Sequence, residues 1–241
     1  MSECEKQVMV MSPRHNLKLL VVIPAYNESG AIGGVVGRLV ADGRNVLVVD
    51  DGSTDETAEI ARRAGATVLT GEKNRGKGVS LRKGFEYAVR HGYEAAITMD
   101  ADGQHAAEAI PDFQEAWRKG CDVVLGCRRF DSEHMPLLRA VTNKSMTAVV
   151  TWFCQQRFHD TQCGYRLFST RVLKRLFMDR KAVTSTRYDF ESEIIMEAHA
   201  HGFQITEVIV PTIYNGAESS IRPFVDTMRF FGLILKTLWR R

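Results

Sequence analysis

The stretch Ile97-Thr-Met-Asp-Ala-Asp-Gly-Gln-His105 joins the end of an apolar run to two aspartates one residue apart. Residues 95–99 are typical of a buried strand, and Gly103 marks the turn that follows it. Because alternate residues of an extended segment point to the same side, Asp100 and Asp102 can present both carboxylates to one point. Two hard oxygen donors suit Mg²⁺ or Mn²⁺, above all when substrate phosphates supply further ligands. The same stretch also fits an ordinary strand-to-helix loop with solvated acids.

Apolar runs and segments with helical spacing alternate on both sides of this stretch. The pattern predicts helices between successive strands, and the strands are expected over residues 17–23, 45–49, 66–69, 95–99 and 122–126. Such an alternation predicts an α/β fold with a doubly wound parallel sheet and a site at the carboxyl ends of its strands. The second half is less regular, with a strand expected over 204–210 and helices over 135–158, 169–178, 188–202 and 223–241.

The composition is that of a soluble globular protein, with 44% hydrophobic and 25% charged residues among 241. A single domain is predicted over residues 17–222, with a disordered lead over 1–16 and an amphipathic helix over 223–241. The net charge of +3 is too small to indicate nucleic acid as a partner. The five cysteines form no Cys-x-x-Cys pair, which predicts a reduced, cytoplasmic protein without structural zinc. No apolar run approaches the roughly 20 residues that span a bilayer.

Charged or polar loops follow four of the predicted strands, although neither the dinucleotide fingerprint nor the P-loop pattern occurs. Each loop alone fits ordinary turn chemistry. Four such loops at neighbouring strand ends together favour a nucleotide-diphosphate site. Glu28 and Asp51 can accept hydrogen bonds from a base edge or ribose. Tyr26 or Pro24 can pack on the base, and Arg75 and Lys77 can reach phosphates.

Four segments carry a resemblance to a known family: Val22-Ile-Pro-Ala-Tyr-Asn-Glu28, Val48-Val-Asp-Asp-Gly-Ser-Thr-Asp55, Asn74-Arg-Gly-Lys-Gly78 and Asp100-Ala-Asp-Gly-Gln-His105. Together they resemble the family 2 glycosyltransferases, which have the GT-A fold. The resemblance covers about residues 19–220 and is greatest to dolichyl-phosphate mannose synthases and dolichyl-phosphate β-glucosyltransferases. A further run, Asp160-Thr-Gln-Cys-Gly-Tyr-Arg-Leu-Phe168, is similar to the glucosyltransferase branch. The resemblance implies a Rossmann-like, mostly parallel central sheet flanked by helices.

The resemblance also implies roles for individual residues. A nucleotide-sugar donor would be bound by Pro24, Tyr26, Glu28, Asp50, Asp51, Lys77, Asp100 and Arg222. Mg²⁺ or Mn²⁺ would bridge the diphosphate, held by Asp100, Asp102 and Gln104. The implied catalytic residues are Asp102, Asp160, Arg128 and Arg139. Asp160 would lie near the sugar and the acceptor, and the arginines would lie at the acceptor phosphate. Arg129 is an alternative to Arg128. The two arginines also fit a solvated basic surface, and Asp160 also fits an ordinary turn at the end of a helix. Asp189 and Glu191 are interpreted as a hydrated helix face.

The activity so implied is an inverting transfer of a hexose from UDP-glucose or GDP-mannose to a polyprenyl or dolichyl phosphate. It would take place at the cytoplasmic membrane face, with the protein peripherally associated. The basic and aromatic helix 223–241 is expected to contact a membrane surface or a membrane-embedded partner subunit, although it can also dock on the domain. Two alternatives remain: a family 2 glycosyltransferase with a saccharide or small-molecule acceptor, and a non-catalytic module that binds nucleotide sugar.

Overall fold

A seven-stranded sheet forms the centre of the computed structural model, which describes residues 17–128, 137–179, 183, 185 and 189–211. Its strands are β1 (Leu19–Ala25), β2 (Asn45–Asp50), β3 (Thr67–Thr70), β4 (Ala95–Thr98), β5 (Val123–Arg128), β6 (Arg166–Ser169) and β7 (Ile205–Val210). Their spatial order is β3-β2-β1-β4-β6-β5-β7. Only β6 runs antiparallel to its neighbours in this sheet, so the prediction of an α/β fold with a mostly parallel sheet is confirmed.

Helices connect most of these strands, as the alternating pattern predicts. They are α1 (Ile32–Ala41), α2 (Thr57–Arg63), α3 (Lys77–Arg90), α4 (Ile110–Arg118), α5 (Leu137–Cys154), α6 (Thr170–Leu173) and α7 (Asp189–Ala200). A 3-10 turn, Ala107–Ala109, precedes α4, and a π-helical segment, Lys174–Asp179, follows α6. Among the helices described, none is both long and apolar enough to cross a membrane.

The two faces of the sheet carry separate apolar cores, and alternate residues of β1 contribute to each. Leu20 and Val22 join the core beneath α3 and α7, whereas Val21 and Ile23 join the core beneath α1 and α4. Residues 19–23 are all buried, which explains why the strand reads as one continuous apolar run. On the first face, a Cβ at Gly84 would lie 2.3 Å from Val22 Cγ1, so glycine allows α3 to approach β1 closely.

Strand β6 was not predicted from the sequence, where a helix was expected from residue 169 and no strand between residues 126 and 204. The strand has only four residues and begins with a charged side chain, so it gives little apolar signal. Its burial is nevertheless complete, and it pairs with β4 so that Arg166 lies opposite Thr98. Because β6 is antiparallel to β4, the loop that precedes β6 lies at the carboxyl end of β4. This brings residues 160–165 next to Asp100.

Candidate active site

Asp51 anchors the loop that leads into α3. Its main-chain N–H donates to Ala25 O at 2.8 Å, which ties the end of β2 to the end of β1. Its buried carboxylate accepts hydrogen bonds from the N–H groups of Arg75, at 3.0 and 3.1 Å, and Gly76, at 2.6 Å. These charge-assisted bonds are among the stronger ones in proteins. Asp51 therefore fixes the position from which Lys77, the first residue of α3, enters the site.

The loops after β1 and β2 are joined by hydrogen bonds that centre on Asn27. This residue has a positive φ of 56°, a conformation that asparagine tolerates better than most residues. Its N–H donates to Ser53 Oγ at 2.9 Å, and its Oδ1 accepts from the N–H of Thr54 at 2.9 Å. Ser53 in turn donates to Asp50 through both its N–H and its hydroxyl. The buried Asp50 carboxylate thus holds the two loops in one arrangement.

Three of the predicted donor-binding residues lie at the end of β1 and in the loop that follows it. Tyr26 is 42% exposed, so its ring is open to a ligand, and Pro24 is half-buried at the end of β1. Glu28 is fixed through its N–H, which donates to Thr57 Oγ1 at 2.8 Å. Pro24, Tyr26 and Glu28 therefore lie at one edge of the sheet, and their contact with a nucleotide stays a prediction.

Lys77 is the charged centre of the site. Its Nζ atom lies 2.6 Å from Asp100 Oδ1 and 2.9 Å from Glu191 Oε1. Burial lowers the pKa of Lys77, but the two carboxylates outweigh burial and raise that pKa above its ordinary value. Burial likewise raises the pKa of Asp100, and the charge of Lys77 more than offsets it, holding this pKa below its usual range. Lys77 and Asp100 are therefore both charged at neutral pH.

Glu191 corrects an interpretation made from the sequence. We expected a hydrated helix face, but its side chain is only 12% exposed and forms the ion pair with Lys77. The helix α7 carries several acids close together, a pattern that also fits a solvated surface. Only the packing of α7 near the carboxyl end of β4 distinguishes the two. No local sequence signal identifies Glu191 as a site residue.

The carboxylate of Glu28, in the loop after β1, lies near the carboxylates of Asp100 and Asp102, which follow β4. Burial raises the pKa of Glu28, and the charges of Asp102 and Asp100 raise it further. Asp102 Oδ1 also accepts the N–H of Gln104 at 3.0 Å, which closes the turn after Asp100. In the part of the chain that the structure describes, no three His, Cys, Asp or Glu side chains are arranged as a complete metal site. The two carboxylates of Asp100 and Asp102 suit Mg²⁺ or Mn²⁺ when a diphosphate supplies further ligands.

His105 supports Asp100 from behind. Its Nδ1 accepts the main-chain N–H of Asp100 at 3.1 Å, and its ring stacks on Tyr165 with centroids 4.9 Å apart. The hydroxyl of Tyr165 donates to Ala106 O at 3.0 Å, so the stack is fixed at both ends. Burial lowers the pKa of His105, which favours the neutral ring that accepts this hydrogen bond.

Arg128 and Asp160 form a two-bonded ion pair beside the carboxylates. Arg128 Nε donates to Asp160 Oδ2 at 2.6 Å, and Nη2 donates to Oδ1 at 3.0 Å. The Asp160 side chain is fully buried and that of Arg128 is 15% exposed. Burial lowers the pKa of Arg128, and the hydrogen bonds and charge of Asp160 raise it by more, so the net shift is upward. The structure thus joins these two predicted residues.

The loop before β6 presses its backbone against the ion pair of Lys77. A Cβ added at Gly164 would lie 2.6 Å from Asp100 Oδ2 and 2.9 Å from Lys77 Nζ. Gly164 therefore has no room for a side chain while the pair is formed. The carbonyl of Gly164 also accepts the hydroxyl of Thr98 at 2.7 Å, which fixes the loop to β4.

Several predicted features lie outside the described residues. These are Arg129, Arg222, the lead 1–16 and the helix 223–241. Arg139 belongs to α5, but its side chain is not among those described.

Comparison with known proteins agrees with the resemblance seen in the sequence. A sequence profile described as "Glycosyl transferase family 2" matches residues 20–177. The chain is 31% identical to polyprenol monophosphomannose synthase of Mycolicibacterium smegmatis, over 81% of this chain and 77% of that protein. It is also 31% identical to dolichyl-phosphate hexose transferase of Haloferax volcanii, over 86% of this chain and 87% of that protein.

Among solved structures, the fold resembles glucosyl-3-phosphoglycerate synthase from Mycobacterium tuberculosis in complex with Mn²⁺, uridine diphosphate and phosphoglyceric acid. The TM-score is 0.69 at 17% identity, over 91% of this chain and 78% of that chain. The fold is therefore that of the GT-A glycosyltransferases. Because the family profile covers more than half of the sequence, the chain belongs to glycosyl transferase family 2.

Proposed function

We propose that this protein transfers a hexose from a nucleotide-diphosphate sugar to a polyprenyl or dolichyl phosphate, with inversion at the anomeric carbon. The observation that carries the proposal is the arrangement of charges at one sheet edge. The carboxylates of Asp100 and Asp102 follow β4, and the guanidinium of Arg128, at the end of β5, lies near Asp100. The names of the two relatives, which both specify a polyprenol or dolichyl phosphate product or substrate, support the acceptor class.

The donor end of the site is built from the loops after β1, β2 and β4. The exposed ring of Tyr26 packs on the base, and Glu28 accepts hydrogen bonds from the base or ribose. Asp50 and Asp51 hold the loops in place through their bonds to Ser53 and Gly76. UDP-glucose and GDP-mannose are the two proposed donors.

The diphosphate lies at the end of β4 in this proposal. Asp100, Asp102 and Gln104 would hold Mg²⁺ or Mn²⁺, and the ion would supply Lewis acidity toward the departing nucleoside diphosphate. Lys77 adds a positive charge from the first turn of α3, and Arg222 is proposed to approach the same phosphates. Positive charge in this region stabilises the negative charge that develops as the bond to the anomeric carbon breaks.

The acceptor phosphate meets Arg128, with Arg139 as a second proposed contact. A phosphate oxygen attacks the anomeric carbon, the carbon–oxygen bond to the nucleoside diphosphate breaks, and the electron pair leaves with the diphosphate. A lipid phosphate is already an anion at neutral pH, so it needs no strong base. Asp160 fixes the guanidinium of Arg128 through two hydrogen bonds, so that its position is set before the acceptor arrives.

A lipid acceptor requires contact with a membrane. We propose peripheral association at the cytoplasmic face, through the basic and aromatic segment 223–241 on the membrane surface or on a membrane-embedded partner subunit.

The test is a transfer assay with the purified chain, Mn²⁺ or Mg²⁺, and a short-chain polyprenyl phosphate in detergent. A panel of UDP- and GDP-sugars is supplied, and both the released nucleoside diphosphate and the lipid-linked sugar are measured. We expect metal-dependent glycolipid formation from one donor. Asp100→Asn and Asp102→Asn should each reduce the rate by at least about 100-fold, as expected for the loss of a main electrostatic contact.

One control variant and two alternative outcomes make the test specific. Asp42→Asn, at an exposed position after α1, should leave the rate unchanged. Nucleotide release without glycolipid would refute the lipid acceptor in favour of a saccharide or small-molecule acceptor. Nucleotide binding without turnover of any donor would refute the enzymatic proposal in favour of a binding module.

A further inference from the structure

A series of alternating charges runs inward from the candidate active site. Lys77 lies between two carboxylates, with Nζ 2.6 Å from Asp100 Oδ1 and 2.9 Å from Glu191 Oε1. Beyond Glu191, Arg166 Nη2 lies 3.7 Å from Oε2. Lys77 therefore has two acidic partners in this structure. Only one of them, Asp100, belongs to the proposed cation ligands.

Glu191 is the inner and more firmly fixed of the two partners. Its side chain is 12% exposed, compared with 32% for Asp100. Its main-chain carbonyl accepts Arg166 Nη1 at 2.7 Å, and the same guanidinium donates to Thr161 O at 2.8 Å and Cys163 O at 2.7 Å. The buried arginine thus joins the beginning of α7 to the loop before β6. Glu191 is held at a set distance from Lys77, whereas Asp100 faces the ligand side.

We propose that Lys77 is the counter-cation of Asp100 while no donor is bound, and that Glu191 is a positioning residue that retains Lys77 when a divalent cation takes over the Asp100 carboxylate. The inference rests on the proposed function, because it assigns an exchange of partners within the same site. An ammonium group has three N–H donors and no acceptor. While it stays on Glu191, Lys77 can direct its other N–H bonds to a diphosphate.

Electrostatics gives the exchange its direction. A divalent cation on Asp100 repels the ammonium that contacts the same carboxylate, and this repulsion is strong at a partly buried position. Moving Lys77 away from every carboxylate would leave a buried charge unpaired, which is also unfavourable. Glu191 removes that difficulty because Lys77 already contacts it. Without Glu191, Lys77 would have Asp100 as its remaining carboxylate partner in the cluster and would oppose the incoming cation more strongly.

The test is a Mn²⁺ titration of the full chain without nucleotide, with free Mn²⁺ measured by its electron paramagnetic resonance signal. Lys77→Met should bind Mn²⁺ at least about tenfold more tightly than the unaltered chain, because the competing charge is gone. Glu191→Gln should bind it more weakly. The matched control is Lys83→Met, a half-buried lysine on the same helix outside the cluster, which should bind Mn²⁺ as the unaltered chain does.

A double variant tests whether Glu191 acts through Lys77. If it does, Lys77→Met combined with Glu191→Gln should bind Mn²⁺ as tightly as Lys77→Met alone. A clearly weaker double variant would mean that Glu191 is itself a metal ligand and would overturn the proposal. Lys77→Gln repeats the removal of charge with a polar side chain, so misfolding of one variant, detected by circular dichroism, does not end the test.

A second titration uses UDP or GDP in the presence of saturating Mn²⁺. Lys77→Met should bind the nucleoside diphosphate at least about tenfold more weakly, because the phosphate contact is lost while the cation remains. Unchanged Mn²⁺ affinity in Lys77→Met would overturn the inference even if sugar transfer to the lipid proceeds. The expected Mn²⁺ pattern without any sugar transfer would support the inference and refute the proposed acceptor.

Discussion

Replacement of Asp160 by asparagine tests the role of the buried ion pair with Arg128. Among the residues that the structure describes, the Asp160 carboxylate accepts four hydrogen bonds: from Arg128 Nε, Nη2 and N–H, and from the N–H of Gln162 at 3.0 Å. Asparagine keeps one carbonyl oxygen as an acceptor, but its NH₂ group would face N–H donors of Arg128 or Gln162 and could not accept their hydrogen bonds. It also removes the negative charge from a guanidinium that is only 15% exposed.

The expected loss follows from this geometry. Removing one partner of a buried ion pair costs about 3–5 kcal/mol, because the other charge remains buried without compensation. At about 2–4 °C per kcal/mol for a domain of this size, Asp160→Asn should lower the melting temperature by about 6–20 °C. Asp42→Asn, at an exposed position, is the control and should change the free energy of unfolding by no more than about 0.5 kcal/mol.

The assay is urea unfolding followed by circular dichroism, with the melting temperature as a second measurement. The double variant Arg128→Met with Asp160→Asn should regain a large part of the lost stability, since no buried charge is then left unpaired. The reasoning is refuted if Asp160→Asn loses less than about 1 kcal/mol, or if the double variant is no more stable than the single one.

Three further predictions follow from individual contacts. Gly164→Ala should reduce turnover at least about tenfold, because the added Cβ displaces the ion pair of Lys77 and Asp100. Gly34→Ala is the control, because its Cβ would meet nothing within 4 Å, and it should leave turnover unchanged. Steady-state kinetics measures both. Asp51→Asn should weaken nucleotide binding about tenfold by loosening the loop at Arg75 and Gly76, as measured by calorimetry; unchanged affinity contradicts it. Hydrogen bonds from Thr57 lower the pKa of Asp55 from 3.8 to about 2. The charged form therefore stabilises the fold above pH 3.8, and this contribution is lost as the pH falls toward 2; unfolding of Asp55→Asn should lack that dependence.

The regular half of the fold could be predicted because its signals are local. Continuous apolar runs identify β1, β2 and β4, and the charged loops that follow them mark the functional edge of the sheet. Pro24, Tyr26 and Asp100 are found there for that reason. The Arg128–Asp160 pair joins residues 32 positions apart, and the sequence placed both near the acceptor only through the resemblance to the family.

The remaining features depend on tertiary contacts. Strand β6 is short and begins with Arg166, whose charge is satisfied by three main-chain carbonyls that the sequence does not reveal. Glu191 looks solvated until α7 packs beside Lys77. Asp51 could be recognised as a site residue, but its bonds to the N–H groups of Arg75 and Gly76 follow from loop geometry. The partners of Glu191 and Asp51 lie far along the chain, whereas Arg166 bonds the nearby carbonyls of Thr161 and Cys163 together with the more distant carbonyl of Glu191.

The most direct test of the central claim compares two acceptors that differ only in the phosphate. Nucleoside diphosphate release and glycolipid formation are measured with a polyprenyl phosphate and with the polyprenol of the same length, using the donor selected in the panel. Because the proposed role of Arg128 is to bind the acceptor phosphate, we expect that only the phosphorylated lipid becomes glycosylated and that its presence accelerates nucleotide release. Equal release with both lipids, or sugar attached to the free polyprenol, would contradict a site built to receive a lipid phosphate.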